Sequence, residues 1–150
     1  AGALTTGAAV DAHAAATQGT MLLLAAQIAG CATPLTHPLL YAAGQAEGRV
    51  QILRALPGLV TKGRNPFGDA DVAVLVPPLL QQAGAELARA RQLATAAPAT
   101  ILPAILPLAL LEPYLAALED LGSHVADQRA DISALTRVWR LLKASALGRV

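Results

Sequence analysis

Few residues of this 150-residue sequence have types that allow chemistry: ten carboxylates, three histidines and one cysteine. Asp127 and Asp131 stand four apart, as Asp-Gln-Arg-Ala-Asp. On a helix such a pair faces one way, and two carboxylates can share a divalent cation. A structural use is simpler: Asp131 caps the last helix, Asp127 lies in the loop before it, and Arg129 sits between them. Asp69 and Asp71 form a second pair, again better placed to cap the helix that follows. Ser123-His124 is adjacent in sequence, which is no evidence for a triad, and after Gly122 it reads as a turn. Gly58, Gly63 and Gly68 lack the spacing of a phosphate loop, and no Gly-Lys-Ser/Thr follows. Cys31 has no disulfide partner, and with His13, His37 and His124 it makes no metal-ligand spacing. The residues therefore imply no catalytic group, no metal site and no cofactor.

The elements that would position these groups are helices. Hydrophobic residues make up 55% of the chain, much of it alanine, and only Tyr41, Phe67, Tyr114 and Trp139 are aromatic. Alanine favours helix and adds little volume, so the expected fold is an all-α helical bundle packed over small residues. No segment shows the alternating β-branched pattern of a strand. Eleven basic and ten acidic residues leave a net charge of +1. That gives no electrostatic case for nucleic acid, and the scarcity of aromatics removes a base-stacking platform.

Periodicity predicts about five helices. The first spans 8–29, with Met21, Leu22, Leu24 and Ile28 as its core face and Gly30 as its stop. The second spans 38–56, with Leu39, Ala43, Ala46, Val50 and Leu53 on one face. Gly44 and Gly48, one turn apart, would admit a close neighbour, and Pro57-Gly58 should end the helix. A loop over 57–76 follows. The third helix spans 78–95. The fourth spans 99–121, kinked by its prolines and ended by Gly122. The last runs from Asp131 to about Leu147, packing Ile132, Leu135, Val138, Trp139, Leu142 and Ala146 on the domain and leaving Arg137, Arg140 and Lys143 in water. The other use of that basic helix is to lie on an anionic membrane, with Trp139 near the interface. Uncharged runs over 14–46 and 92–111 are broken by Gly30, Pro34 and Pro38, and by Pro98, Pro103 and Pro107, which suits buried helices better than membrane spans. The chain opens at Ala1 without a secretory signal, a start that a removed mitochondrial presequence would fit.

Several segments resemble, in order, the squalene/phytoene synthase family. They are Asp11-Ala-His-Ala-Ala-Ala-Thr-Gln-Gly-Thr-Met-Leu-Leu-Leu24, Ile52-Leu-Arg-Ala-Leu-Pro57 with Lys62-Gly-Arg64, Ala88-Arg-Ala-Arg91, Ile101-Leu-Pro-Ala-Ile-Leu-Pro107, Tyr114-Leu-Ala-Ala-Leu118 and the Leu135…Trp139 helix. The resemblance covers nearly the whole chain as the C-terminal half of that domain, and implies half of an isoprenoid-synthase-like fold. Active members carry Arg-Asp-x-x-x-Asp in the second segment, whose aspartates hold the Mg²⁺ that binds a prenyl diphosphate. Here Ala55 and Leu59 stand at those positions, and neither can ligate a cation. Leu53-Arg-Ala-Leu-Pro57 is more similar to the non-catalytic NADH dehydrogenase (complex I) assembly factor 6 group, whose members act in mitochondria or in relatives of their bacterial ancestors and associate with the inner membrane.

The resemblance thus implies a pseudoenzyme rather than an enzyme: a structural or assembly subunit of a mitochondrial respiratory-chain or ATP synthase complex. Its place would be the matrix side of the inner membrane, or a bacterial cytoplasm. Half of a cavity-enclosing fold should expose an apolar wall, so other protein subunits are the expected partners. Val50, Leu53 and Trp139 are the expected partner-binding residues. Peripheral membrane contact and an isoprenoid or lipid in a residual cavity are further expectations. The rival reading is a prenyl diphosphate transferase split over two chains, against which Ala55 and Leu59 argue.

Overall fold

The structure, a computed structural model, describes residues 4–150. It is an all-α bundle of five helical rods, with no strand among the described residues. The rods are 7–28, 37–60, 72–94, 99–126 and 134–147, close to the predicted count and order.

The first rod is α1 (Gly7–Ala14), a π-helical turn (Ala15–Gly19) and α2 (Thr20–Ile28). Thr6 caps it by accepting from the Ala9 amide. The wide turn inserts in effect one extra residue into the helical register. In an unbroken α-helix, Val10 and Ala14 would share a face with Met21, Leu24 and Ile28. After the π turn they line up instead with Leu22 and Ala26, and these four are buried. Met21, Leu24 and Ile28 are rotated into solvent, contrary to the core face expected for them. Gly30, at φ 67°, ends the rod.

The central helix is α3 (His37–Val60). The buried Thr36 hydroxyl donates to the Cys31 carbonyl and accepts from the Thr33 amide, fixing the tight turn before it. Pro57 does not end α3 as expected. The helix continues one turn and closes at Gly63, with the Thr61 hydroxyl donating back to the Pro57 carbonyl. Proline's cost inside a helix is a lost hydrogen bond and a ring clash, and packing along a long helix overrides it here. Asp11, Gln45 and Arg49 lock the first rod to α3. The Arg49 guanidinium is buried, donates to the Gln45 side-chain and main-chain oxygens, and pairs with the Asp11 carboxylate.

The loop between α3 and α4 is shorter than the expected 57–76, because α4 (Val72–Ala94) begins before Pro77 and Pro78. Asp71 caps it, accepting from the Ala73 amide, which is the use expected for that carboxylate. The carbonyls of Ala73 and Val74 lose their proline partners, but both residues are exposed, so water can satisfy them. Phe67, wholly buried, anchors the loop, held by Asn65 bonds to its amide and to the Gly68 carbonyl.

The fourth rod is jointed at its prolines: a 3₁₀ turn, α5 (Leu102–Ile105), a second 3₁₀ turn, α6 (Leu111–Leu121) and a last 3₁₀ turn from Gly122 to Ala126. By length and hydropathy this 28-residue stretch passes as a membrane span, but half of its most apolar window is buried inside the bundle, as in a core helix.

The last rod, α7 (Ala134–Leu147), is capped by Ser133, which accepts from the Thr136 amide, and not by Asp131 as expected. Ile132 packs on the core and Lys143 lies in water as expected, but the rest of the helix is turned the other way. Ala144 is buried and Arg137, Arg140 and Leu141 are half-buried against the body, while Leu135, Val138, Trp139 and Leu142 face solvent.

Candidate functional site: an apolar cleft and two outward stripes

Three features carry functional weight. The first is an open cleft of ≈ 680 Å³ between the first rod, α3 and the loop after it. Ile52, Ala55 and Leu59 form one wall, Leu4 and Pro66 add apolar surface, and His13, Gln51 and Arg64 supply its polar groups. Thr17 and Gln18 of the π turn reach it too, and π turns recur at functional positions. Ala55 and Leu59, one turn apart on α3, thus open into a single space. Carboxylates there would share it; an alanine and a leucine make the wall apolar and unable to bind a cation.

The acidic residues elsewhere do not gather. Among the described residues, no three of His, Cys, Asp and Glu come close enough to hold a metal ion. Asp127 ends a 3₁₀ turn, and Asp131 is committed to structure: its carboxylate accepts from the Ile132 amide and pairs with Arg137 at 3.0 Å and Arg54 at 3.7 Å. The amide bond, with the guanidinium groups behind it, holds the Asp131 carboxyl below its ordinary range.

The second feature is the polar clamp under α7. Arg54 stacks on the Tyr114 ring at 3.6 Å and donates to the Ala130 carbonyl. Burial pushes its pKa down. Arg137 bonds both the Tyr114 hydroxyl and Asp131. One turn on, Arg140 pairs with Glu112 at 2.9 Å, and Arg91 joins it at 3.3 Å. The hydrogen bond from Arg140 leads in holding the Glu112 carboxyl low. The two arginines of α7 are thus spent on its inner face, while Lys143 stays in water. That explains the reversed orientation: the guanidinium groups find carboxylates on the body, and the apolar residues have no pocket there.

The third feature is the result. Val50 and Leu53, expected to bind a partner, are 0% exposed and enclosed by the chain's own helices, so neither can touch a partner in this fold. Helix α3 is central and sheathed by the first rod and α4, which the apolar pattern of one helix does not reveal. Trp139 is 64% exposed, in a stripe with Leu135, Val138 and Leu142. A second stripe, missed at the level of sequence, is Met21, Leu24 and Ile28 on α2, with Leu35 just beyond. The signal for it was the small residues earlier in the same rod, where Ala14 and Gly19 meet Gly48 and Gly44 on α3.

One carboxylate works against the fold. Glu47, on α3, is half-buried, and burial alone pushes its pKa up from 4.5. A raised carboxyl pKa means that the folded state holds its proton more tightly than the unfolded chain. Stability is therefore lost as pH rises through the folded pKa, and the penalty grows toward higher pH. Glu47→Gln is expected to raise the melting temperature at pH 7. Its advantage over the parent should shrink as the pH falls and vanish below about 4.5, where both states of the parent are protonated. Paired thermal melts from pH 7 to 4 check this, and a constant difference across that range would contradict it.

Compared with models of known families, with curated proteins and with solved structures, the chain finds no match in any of the three.

Proposed function

We propose that this chain is a non-catalytic structural or assembly subunit that docks on other protein subunits of a membrane-associated complex. The observation that carries this reading is the outward stripe of Met21, Leu24 and Ile28, the last of them 90% exposed. Bulky aliphatic side chains aligned on one exposed helix face form the centre of a protein interface, not the surface of a solitary chain. The apolar wall at Ala55 and Leu59 supports the non-catalytic part. The resemblance to the assembly factor 6 group supplies the setting: a mitochondrial respiratory-chain or ATP synthase complex, on the matrix side of the inner membrane, or its bacterial counterpart.

The test is native purification in mild detergent with mass-spectrometric identification of what co-purifies, for the parent and for a Met21→Ser, Leu24→Ser, Ile28→Ser triple variant. The parent should bring down stoichiometric subunits. The variant should lose them while keeping its helical circular dichroism, since these side chains lie outside the core. A parent chain that purifies alone overturns the proposal, as does a folded triple variant that retains every subunit.

A second reading has its own observation. The ≈ 680 Å³ cleft is large enough for a lipid-sized ligand and largely apolar. We propose as the alternative that it holds an isoprenoid or another lipid without acting on it. Organic extraction of the purified chain, followed by mass spectrometry, should then release a bound lipid, and Ala55→Trp should abolish its recovery. An extract with no lipid removes this reading.

A further inference from the structure

The outward stripe of α7 differs from that of α2 in its electrostatic surroundings. Residues 132–150 contain Arg137, Arg140, Lys143 and Arg149 and no carboxylate. The other 7 of the 11 cations and all 10 carboxylates lie in residues 1–131, so the C-terminal segment carries +4 and the remainder −3. Arg137 and Arg140 are turned inward and held by Asp131 and Glu112. Lys143 and Arg149 are exposed, and among the described residues neither pairs with a carboxylate. At 100° per residue, Leu135, Trp139, Leu142 and Ala146 lie within one narrow arc of α7, Val138 lies at one edge, and Lys143 lies at the other, one turn beyond Trp139.

We propose that this face seats on an anionic lipid surface, with the Trp139 ring and Leu142 entering the boundary between headgroups and acyl chains and with Lys143 and Arg149 against the lipid phosphates. Three observations converge. The apolar stripe is exposed because α7 packs by its opposite, polar face, so no rearrangement is needed to present it. Its free charges are all positive, matching an anionic surface. Tryptophan at the centre of such a stripe has an apolar body and an N–H that remains in the hydrated zone. The separation of charge along the chain would also turn α7 toward a negative surface before contact. This inference rests on α7 alone. The protein-docking proposal rests on α2, and either can fail without the other.

Trp139 is the only tryptophan in the chain, so its fluorescence reports this face directly. The chain, free of detergent, is titrated with vesicles of phosphatidylcholine alone and of equimolar phosphatidylcholine and phosphatidylglycerol. The expected result is a blue shift of emission with the anionic vesicles and quenching by brominated acyl chains. Partitioning should be roughly 30-fold stronger than to neutral vesicles, two basic residues acting together, and should weaken as salt is added. Lys143→Glu with Arg149→Glu should remove that preference. Leu142→Ser should weaken partitioning to any vesicle, with the thermal melt unchanged because the side chain is exposed.

An emission maximum that does not move with anionic vesicles overturns the inference. Equal shifts with neutral and anionic vesicles overturn its electrostatic part. A blue shift that grows with protein concentration in the absence of lipid assigns the face to a second copy of the chain. Quenching only when co-purified subunits are present assigns it to a protein.

Discussion

Replacing Leu53 with aspartate should unfold the chain, whereas replacing Trp139 with aspartate should leave its stability within about 0.5 kcal/mol. Leu53 is 0% exposed at the centre of α3. Its side chain contributes about 1.5–3 kcal/mol by burial, and an ionised carboxylate in its place adds several kcal/mol of desolvation. The sum is comparable to the whole stability of a typical domain, about 5–15 kcal/mol. Val50→Asp should behave in the same way for the same reason. Trp139 loses little on substitution because its ring already faces water. Thermal and urea melts followed by circular dichroism decide the matter, and a Leu53→Asp chain melting with the parent would mean that α3 is not the central helix. One consequence is practical: loss of a complex on substituting Val50 or Leu53 reports unfolding and says nothing of docking. Substitutions on the stripes of α2 and α7 report docking itself.

The all-helical character was legible because it rests on composition and local signals. Alanine content, the stop at Gly30, the cap at Asp71 and the end at Gly122 act over a few residues, and each appears where it was expected. The faces were not legible to the same degree. A π turn adds one residue to the register of the first rod, and no composition rule announced it. Met21, Leu24 and Ile28 are therefore rotated by about 100° away from the face α-helical spacing implies, and Leu22 takes the inward position. On α7 the failure has a different cause. Its amphipathic pattern was read correctly, but the partner of each face was not. Asp131 and Glu112 come from other parts of the chain and draw the arginines inward, and the clamp joining Arg54, Tyr114, Asp131 and Arg137 spans more of the sequence than any local pattern can see. The same arrangement occupies half of the Asp127–Asp131 carboxylate pair, since Asp131 already has guanidinium partners.

The cleft was not legible in the spacing of residues. Spacing alone gives Ala55 and Leu59 no significance, since small and aliphatic residues four apart are ordinary on a buried helix. The fold brings both to the wall of one space. Small residues explain why bulky ones end up outside. Where helices meet over glycine and alanine, the contact surface is used up by small side chains, and the larger apolar groups of the same helix are left facing away. A chain packed in this manner retains apolar area for partners, which is the physical link between its alanine-rich composition and the docking role proposed for it.

Gly48→Ala should destabilise the fold, and Gly84→Ala should stabilise it, although both place the better helix former in a helix interior. In the absence of contacts, the change from glycine to alanine gains about 0.4–1 kcal/mol by restricting the unfolded chain. At Gly84, on α4, an added Cβ meets nothing within 4 Å, so that gain should be seen. At Gly48 the added carbon would lie 2.8 Å from the Cα of Ala14 and closer still to its Cβ. The first rod and α3 would have to separate, at a cost of about 1–3 kcal/mol or more for overpacking. The net loss should lower the melting temperature by several degrees, at roughly 2–4 °C per kcal/mol for a chain of this length. Gly44→Ala is the sharper case. Its Cβ would stand 2.6 Å from the Cα and 2.9 Å from the amide nitrogen of Gly19, inside the π turn. Gly19 has no side chain to remove, so no substitution there can relieve the clash. Ala14→Gly, by contrast, should partly rescue Gly48→Ala by deleting the nearer carbon. Paired melts of the two glycine variants, with and without Ala14→Gly, test the crossing. If Gly44→Ala and Gly48→Ala both melt above the parent, the helices do not meet there, and the register assigned to the π turn, with the outward stripe that follows from it, would have to be given up.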